Sequence, residues 1–364
     1  MKVALRPLAQ TRGPAAAPHR ASIIIVSYNA RTKLLACLAS ISSRLPECCQ
    51  IIVVDNASSE GNADAVEADF PDVTLIRSTE NLGFAGGCNL GAMRSDGEFL
   101  AFINPDTIVE RDWLSALIAP LQAKERVGLS TSRILLLDQP ERINACGCNV
   151  QLAGLILCRG TGRPKESYPR AEQVAAISGA SFAIRRDLFE SLGGFDEDMF
   201  LYGEDTDLSW RAGLAGWLTE YVPDSIVFHD YRLRIAGLRV FWNERNRYLM
   251  LLKSLKWKTL LLLTPAYVIA ELITWGFVLL SDRDNIRNKL KAYKWIIDNW
   301  DRVIEKRRAT QGLRVITDRE MLRRTTFAVD FRQAASRPLA GAASLIFNSL
   351  FFVLRGIALA LVWW

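Results

Sequence analysis

Ser22-Ile23-Ile24-Ile25-Val26 is a short β-branched run that ends in Ser27-Tyr28-Asn29. Such a run reads as a strand buried on both faces, the pattern of a parallel sheet. Helical spacing follows over 31–45 (Leu34, Leu35, Leu38, Ile41, Leu45), closed by Pro46. A second run, Ile51-Ile52-Val53-Val54, ends in Asp55-Asn56-Ala57-Ser58. A helix over 61–69 and a third strand at Val73–Arg77 come next. This alternation predicts an open α/β sheet with right-handed crossovers. Ligands of such sheets bind beyond the carboxyl ends of the strands, where Tyr28, Asp55 and Asn56 fall. No G-x-G-x-x-G follows the first strand, which argues against a dinucleotide-binding domain.

Downstream, Glu80–Gly91 carries four glycines. It reads either as a loop entering a close-packed helix or as backbone held against a phosphate. The apolar strand Phe99–Ile103 delivers Asn104-Pro105-Asp106 to the same rim. A lone carboxylate there suits a hard divalent cation whose other ligands are pyrophosphate oxygens. Trp113–Leu121 is expected to be helical. Val174–Ile184 reads as a strand in which Ser178-Gly179-Ala180-Ser181 lets a ligand approach. Gly193-Gly194-Phe195-Asp196 then leads to Phe200-Leu-Tyr-Gly-Glu-Asp-Thr-Asp-Leu-Ser-Trp-Arg211, with three carboxylates in four residues. Such clustering calls for a cation, a partner or a proton-transfer role. The plain alternative is a helix over about 207–215 with Asp205 as N-cap. Strands at 217–222 and 226–228 lead to His229, one of two histidines, the other being His19 in an Ala/Pro/Arg-rich stretch over 1–20. That stretch lacks an apolar core and reads as a flexible tail.

Half of the 364 residues are apolar, enough for a sizeable core, and the net charge is +6. Residues 281–337 hold fifteen Lys and Arg against eight Asp and Glu, so 15 − 8 = +7 and the rest of the chain sums to −1. That placement points to an anionic membrane surface rather than to nucleic acid. Seven scattered cysteines with almost no histidine read as reduced, mostly buried thiols.

The ordered set Ser27-Tyr-Asn29, Val54-Asp-Asn-Ala-Ser58, Asn81-Leu-Gly-Phe-Ala-Gly-Gly-Cys-Asn89, Asn104-Pro-Asp106, Gly193-Gly-Phe-Asp196 and Gly203-Glu-Asp-Thr-Asp-Leu-Ser-Trp-Arg211 resembles the family 2 glycosyltransferases of GT-A fold. The nearest likeness is to the rhamnosyltransferase-like branch that builds bacterial cell-surface polysaccharide. The resemblance implies an open mixed sheet flanked by helices over 21–250, followed by membrane-associating helices over 251–364. It implies an inverting transfer from a dTDP- or UDP-sugar to a lipid-linked or polysaccharide acceptor. Nucleotide-sugar contacts are then expected from Ser27, Tyr28, Asn29, Asp55, Asn56, Asn81, Gly83, Asn89, Asn104 and Asp106. Asp205 is expected as general base, Glu204 as its neighbour in catalysis, and Trp210 and Arg211 in the acceptor pocket. Asp106 and His229 are the implied ligands of Mg2+ or Mn2+. Asn104 stands where the family's first Asp usually does, leaving one anionic ligand fewer.

The C-terminal third departs from a purely soluble enzyme. Trp242–Leu252 resembles the Arg-Asn element that follows the catalytic domain in this branch, and the Gln-x-x-Arg-Trp pattern of processive synthases is missing. Single addition is therefore expected. Thr259–Leu280 is apolar but contains Pro265 and Glu271. Spanning there would place the basic segment opposite the catalytic domain, against the positive-inside tendency. Within 288–308, Ala292, Trp295, Ile296, Trp300, Val303 and Ile304 form one face, with Lys289, Lys291, Lys294, Arg302 and Lys306 on the other, the pattern of a helix lying on anionic lipid. Pro338–Trp364 reads as an interfacial or shallowly inserted segment. The expected location is the cytoplasmic face of the inner membrane, with a homo-oligomer also compatible. A sugar nucleotidyltransferase should show a Gly-rich loop with Arg and Lys after the first strand, which Ser27–Lys33 does not. A catalytically silent membrane scaffold is the other class to set against an enzyme.

Overall fold

Alternation along the first strand builds the layers. In the computed structural model, which describes residues 20–43, 48–231, 238–281, 283–331 and 337–364, Ile23 and Ile25 of β1 (Ala21–Ser27) face one side of the sheet. They pack on α1 (Arg31–Ser42) and α4 (Trp113–Ala123) through Leu34, Leu38, Trp113 and Leu117. Ile24 and Val26 face the other side and pack on α3 (Gly83–Met93), α5 (Arg186–Ser191) and α6 (Glu204–Leu214). A side-chain period of two in a strand covered on both faces requires this three-layer arrangement.

Parallel pairing joins β1 to β2 (Cys49–Asp55) and β4 (Phe99–Ile103), and β2 to β3 (Thr74–Arg77), with α2 (Asn62–Asp69) between β2 and β3. Beyond β4 the sheet turns mixed. β11 (Ser181–Arg185) runs antiparallel to both β4 and β6 (Val127–Leu136), and β12 (Leu218–His229) runs parallel to β6. Short strands β5 (Thr107–Val109), β7 (Ile143–Ala145) and β10 (Glu172–Gln173) complete the ten-stranded sheet. β8 (Cys148–Val150) and β9 (Ile156–Cys158) form a separate hairpin. Together these make the open mixed α/β sheet of a GT-A fold.

Helices α7 (Leu238–Ser254), α8 (Trp257–Leu262), α9 (Thr264–Ser281), α10 (Ile286–Asp298), α11 (Trp300–Gly312), α12 (Asp318–Arg323) and α13 (Arg337–Leu361) build a third core. Trp210 and Leu214 of α6 enter it alongside Leu249, Met250, Ala266, Phe351 and Ala358. One helix therefore belongs to the sheet layer and to the C-terminal helices at once.

Several expectations need correction. Of the two readings of Glu80–Gly91, the close-packed helix holds, since the glycines of 83–91 lie within α3. A Cβ at Gly87 would meet Val26 at 2.6 Å and one at Gly91 would meet Ile24 at 2.5 Å, so these two seat the helix on the sheet. The strand expected over 174–184 begins only at Ser181. The two strands before His229 are one, β12, with a register shift between Val222 and Ile226. Helix α6 starts at Glu204, so its N-cap is Gly203 at φ +85°, and Asp205 lies inside the first turn. The basic helix is also different. Asn299 divides it into α10 and α11, Lys289 is fully buried against Glu244, and Lys306 pairs with Asp196 and Asp198. Buried carboxylates on other elements draw both lysines inward, which a periodicity along one helix does not register. Residues 1–19, with His19, and Pro46 lie outside the described residues.

Candidate active site

Two adjoining cavities open at the carboxyl ends of β1, β2 and β4. The first, of about 520 Å³, is lined by Tyr28, Asn29, Asn56, Asn81, Gly83, Asn104 and Asp106 among others. The second, of about 530 Å³, is lined by Glu204, Asp205, His229, Ser178–Ala180 and the β8–β9 hairpin, then by residues of α7, α9 and the segment 329–331. Phe84, Asn104 and Leu201 line both.

Strand ends set the first cavity. Tyr28 is half exposed, and Asn29 takes the left-handed conformation at φ +49°. Asn29 Oδ1 accepts from Ser59 N at 2.8 Å, which ties the ends of β1 and β2 together. Asn56 Nδ2 donates to Asn81 Oδ1 and to the Gly83 carbonyl, both at 3.0 Å, fixing the cavity floor. Asp55, buried at the end of β2, does not line the cavity, and its Oδ1 has no hydrogen-bond partner. A buried carboxylate oxygen left unpaired requires a ligand or water. Ser27 and Asn89 do not line the cavity. Ser27 Oγ accepts from Asn62 Nδ2, and Asn89 grips Phe195 through both its amide oxygen and nitrogen. Their surroundings are structural.

Asp106 and His229 meet although 123 positions separate them (229 − 106). His229 ends β12, Thr107 begins β5, and the antiparallel pair His229↔Thr107 brings the two side chains together. Nε2 of His229 lies 3.2 Å from Asp106 Oδ1, and Nδ1 lies 2.9 Å from Asn144 Oδ1. The tautomer donating from Nδ1 to Asn144 leaves the Nε2 lone pair facing a carboxylate, an arrangement that a cation between the two satisfies. The carboxylate suits Mg2+ or Mn2+, whereas the imidazole is a donor that hard, oxygen-seeking Mg2+ takes less readily than a transition ion does. Among the described residues no three His, Cys, Asp or Glu side chains are grouped so as to hold a metal ion, so a cation here would take most of its shell from substrate oxygens and water.

Asp205 lines the second cavity, beside Leu201, Tyr202 and Gly203. Its Oδ2 accepts from Gly179 N at 2.8 Å and its Oδ1 from Thr206 N at 2.6 Å. A Cβ at Gly179 would stand 3.2 Å from Asp205 Oδ2, so the small residues of 178–180 admit the carboxylate. Burial pushes the Asp205 carboxyl above its ordinary range, and the backbone N–H groups of Gly179 and Thr206 oppose it. Glu204 is raised further, first by burial and then by Asp205, and its Oε2 has no partner.

Trp210 and Arg211 line neither cavity. Trp210 is buried in the C-terminal core. Arg211 donates to Asp207 Oδ2 and to the carbonyls of Leu192 and Gly194, each at 2.8 Å. The expected acceptor-binding role is replaced by a structural one, because α6 turns that face toward the core. In their place the second cavity is lined by Arg239, Asn243, Glu244, Arg247 and Lys289, and by Ile273, Phe277, Val278 and Phe331. Glu271, incongruous in an apolar stretch, accepts from Tyr293 at 2.5 Å and pairs with Arg247 and, at 3.2 Å, Lys289. The sequence signal was the pair of charges Glu244 and Arg247 one helical turn apart in α7.

A mixed sheet with a nucleotide-sized cavity at its parallel strand ends and a second, carboxylate-bearing cavity beside it is the architecture of nucleotide-sugar transferases. Residues 22–193 match the model of glycosyl transferase family 2, and residues 166–364, more than half of the chain, match that of glycosyl transferase family group 2. The chain belongs to the family 2 glycosyltransferases and is an enzyme of that class. It is 28% identical over 229 residues to the N-acetylglucosaminyl-diphospho-decaprenol L-rhamnosyltransferase of Mycobacterium tuberculosis, covering 57% of this chain and 75% of the relative. It is 27% identical over 250 residues to the pre-mycofactocin glycosyltransferase of the same species, covering 66% of this chain and 48% of that one. Among solved structures, GalNAc-T7 with UDP, GalNAc and Mn2+ superposes with a TM-score of 0.54 at 22% identity over 64% of this chain and 48% of its own. Staphylococcus aureus TarS 1–349 with UDP-GlcNAc superposes with a TM-score of 0.54 at 15% identity, covering 93% and 90%. Both likenesses bear on the fold.

Proposed function

We propose that the protein moves a sugar, in the rhamnosyl class, from a nucleoside diphosphate to the hydroxyl of a lipid-linked glycan, with inversion, at the cytoplasmic face of the membrane. The observation that carries this reading is the adjoining pair of cavities, the first lined by Asp106 and the second by His229 and Asp205, with the Asp106–His229 pair bridging them. In this reading Tyr28, Asn29, Asn56 and Asn81 receive the nucleotide, with Asp55 buried at the end of β2 beside Asn56. Asp106 and His229 hold a divalent cation, which when bound neutralises diphosphate charge and so favours its departure. Asp205 takes the proton of the attacking hydroxyl, and Glu204 shapes its surroundings. One base without a covalent nucleophile gives single displacement. The relative acting on a decaprenyl-linked sugar supports the acceptor class.

Thermal denaturation tests the donor side. A nucleotide that binds only the native state raises the melting temperature, by about 2.7 kcal/mol of stabilisation at 100 times its dissociation constant. dTDP- and UDP-sugars are expected to stabilise the wild-type protein more strongly with Mg2+ or Mn2+ than with EDTA. Asp106→Ala should keep the EDTA-level shift and lose the metal-dependent part. Equal shifts under both conditions would remove the cation from the reading.

The membrane side rests on α13. Leu345, Ile346, Leu350, Phe352, Val353 and Ile357 are exposed on one half of this helix, while Phe351, Ala358 and Val362 are buried on the other. By length and composition Ala343–Leu361 could cross a bilayer. Its inner face is nevertheless pinned. Asn348 pairs with the Val329 backbone, Arg355 donates to the Arg323 carbonyl at 3.1 Å, and Trp364 Nε1 donates to Thr259 at 2.9 Å. A helix attached along its length lies in the interface rather than across it. Exposed Leu261, Val268 and Leu272 extend the apolar surface, and Lys258, Arg287, Lys291 and Lys294 supply charge for anionic headgroups. The full chain is expected to float with phosphatidylglycerol vesicles, and Phe352→Glu with Val353→Glu to reduce the bound fraction several-fold without changing the melting temperature. Unchanged flotation would overturn in-plane docking.

A further inference from the structure

The turn that separates the two cavities is held in an unfavourable backbone conformation. Phe200 (φ +59°, ψ −62°) and Tyr202 (φ +67°) both have a positive φ although neither is glycine. Each such residue costs roughly 1–2 kcal/mol, so two of them within three positions persist only where surrounding groups hold them. Phe200 and Leu201 line the nucleotide-side cavity, and Leu201, Tyr202 and Gly203 line the other. Glu204 and Asp205 follow directly. The backbone of this turn therefore decides where the Asp205 carboxylate stands relative to both substrates.

Two helices grip it. From α3, the backbone N–H of Phe84 donates to the Phe200 carbonyl at 2.7 Å. From α7, the side-chain amide of Asn246 donates to three carbonyl oxygens of the turn, those of Met199 (2.8 Å), Leu201 (3.1 Å) and Tyr202 (2.6 Å). Its Oδ1 accepts from Arg245 Nε at 2.9 Å, and Arg245 also donates to the Met199 carbonyl at 2.9 Å. Trp242, one turn earlier on the same helix, stacks on the Phe200 ring with centroids 5.3 Å apart and planes at 21°. Asn246 is buried and lines neither cavity. It touches no substrate space, yet its amide meets the turn's carbonyls from below. Asp at this position would present acceptors to acceptors, and Ala would take this donor from the Leu201 and Tyr202 carbonyls, while Met199 keeps Arg245.

We propose that Asn246 is the positioning residue of this transferase: its amide holds the Phe200–Gly203 turn in its positive-φ conformation and so fixes the Asp205 carboxylate on the wall of the acceptor cavity. The proposal rests on the functional reading above, in which Asp205 takes the acceptor proton. It also gives the α7 helix a task in the reaction beyond packing. A carboxylate displaced by about 1 Å loses on the order of 10²-fold in rate, while nucleotide contacts made from the ends of β1 and β2 stay in place.

Steady-state kinetics of the full chain in detergent micelles, with a sugar nucleotide and a polyprenyl-diphosphate-linked acceptor, test this. Asn246→Ala is expected to lower kcat by about 10–100-fold with the sugar-nucleotide KM within about threefold of wild type. Loosening the turn also admits water to Asp205, so the acid limb of the kcat–pH profile should move to lower pH, which a merely structural loss of folded protein would not do. If Asn246→Ala does not fold, the same quantities are read on Asn246→Ser, whose hydroxyl serves one carbonyl and should give an intermediate rate. A folded variant with kcat within twofold and an unmoved acid limb overturns the proposal, as does a raised KM at unchanged kcat. Wild-type protein without transfer activity overturns the functional reading and this proposal together; an active wild type with an undisturbed variant overturns this one alone.

Discussion

Asp205→Asn is expected to lower kcat by about 10²–10⁴-fold, the range attributable to one general base, while the fold is kept. The isosteric amide still accepts through its oxygen from Gly179 N or Thr206 N, and nucleotide-induced thermal stabilisation should be retained because Asp205 lines the other cavity. A rate within twofold of wild type would favour the silent-scaffold reading instead. In the wild type the base is competent only when ionised. Burial raises its carboxyl above the ordinary range, so activity should fall as pH drops through that raised value, earlier than a solvent-exposed aspartate would give. Glu204 supplies the companion result. Its carboxyl is raised well above the usual value by burial and by Asp205, so the folded state holds its proton more tightly than the unfolded chain does. The sign is then definite: that contribution to stability is present below the unfolded value and is lost as pH rises through the folded one. Glu204→Gln should accordingly melt higher than wild type at pH 8, with the difference disappearing below about pH 4. Calorimetry at the two pH values checks it.

Lys253→Met is expected to destabilise the protein by about 3–5 kcal/mol, the typical consequence of removing one partner of a buried ion pair. Lys253 is buried, and its ammonium lies 2.5 Å from Asp196 Oδ2 and 2.8 Å from Asp207 Oδ1. Asp196 precedes the turn that carries Phe200, Asp207 lies in α6, and Lys253 lies near the end of α7, so one ammonium joins three elements. Burial disfavours the charged form of Asp196, but Lys253 and Lys306 more than offset it and hold the carboxyl below its ordinary range. A depressed carboxylate contributes stability above its unfolded value and loses it as pH falls through the folded one. The gap between wild type and Lys253→Met should therefore be full at neutral pH and narrow in acid. Urea unfolding at pH 7 and pH 3 measures both. A loss below about 1 kcal/mol at neutral pH, the range of a surface pair, would show that Arg211 and Lys306 suffice for the two aspartates.

The parts that were legible in the sequence share a cause. β1, β2 and β4 are buried on both faces, so their residues are continuously apolar, and Ile51–Val54 or Phe99–Ile103 cannot be mistaken for a solvated strand. The strand ends followed directly, since Ser27-Tyr28, Asp55-Asn56 and Asn104-Pro105-Asp106 come immediately after the three runs. Where local pattern and long-range pairing compete, the sequence misled. Lys289 and Lys306 occupy helix positions that read as solvent-facing, but Glu244 and Asp196 come from elsewhere in the chain and draw them into the interior. Trp210 and Arg211 share a motif with Asp205, yet a helix turns successive residues about 100° apart, and only Glu204 and Asp205 reach the cavity. The glycines of α3 suited a phosphate loop as well as a helix, and only the distances to Ile24 and Val26 decide between them.

Residue order alone determined that this chain forms a parallel-cored α/β sheet with polar residues gathered at one rim, because burying an apolar strand on both faces leaves no other placement for them. Tertiary structure alone decided which carboxylates meet which partners. Asp106 reaches His229 through an antiparallel strand pair, Asp205 reaches the wall of its cavity through a positive-φ turn gripped by Asn246, and α13 turns one face inward and one outward. Each of these depends on groups far apart in the chain, and contact energies between such groups exist only once the chain has closed around them.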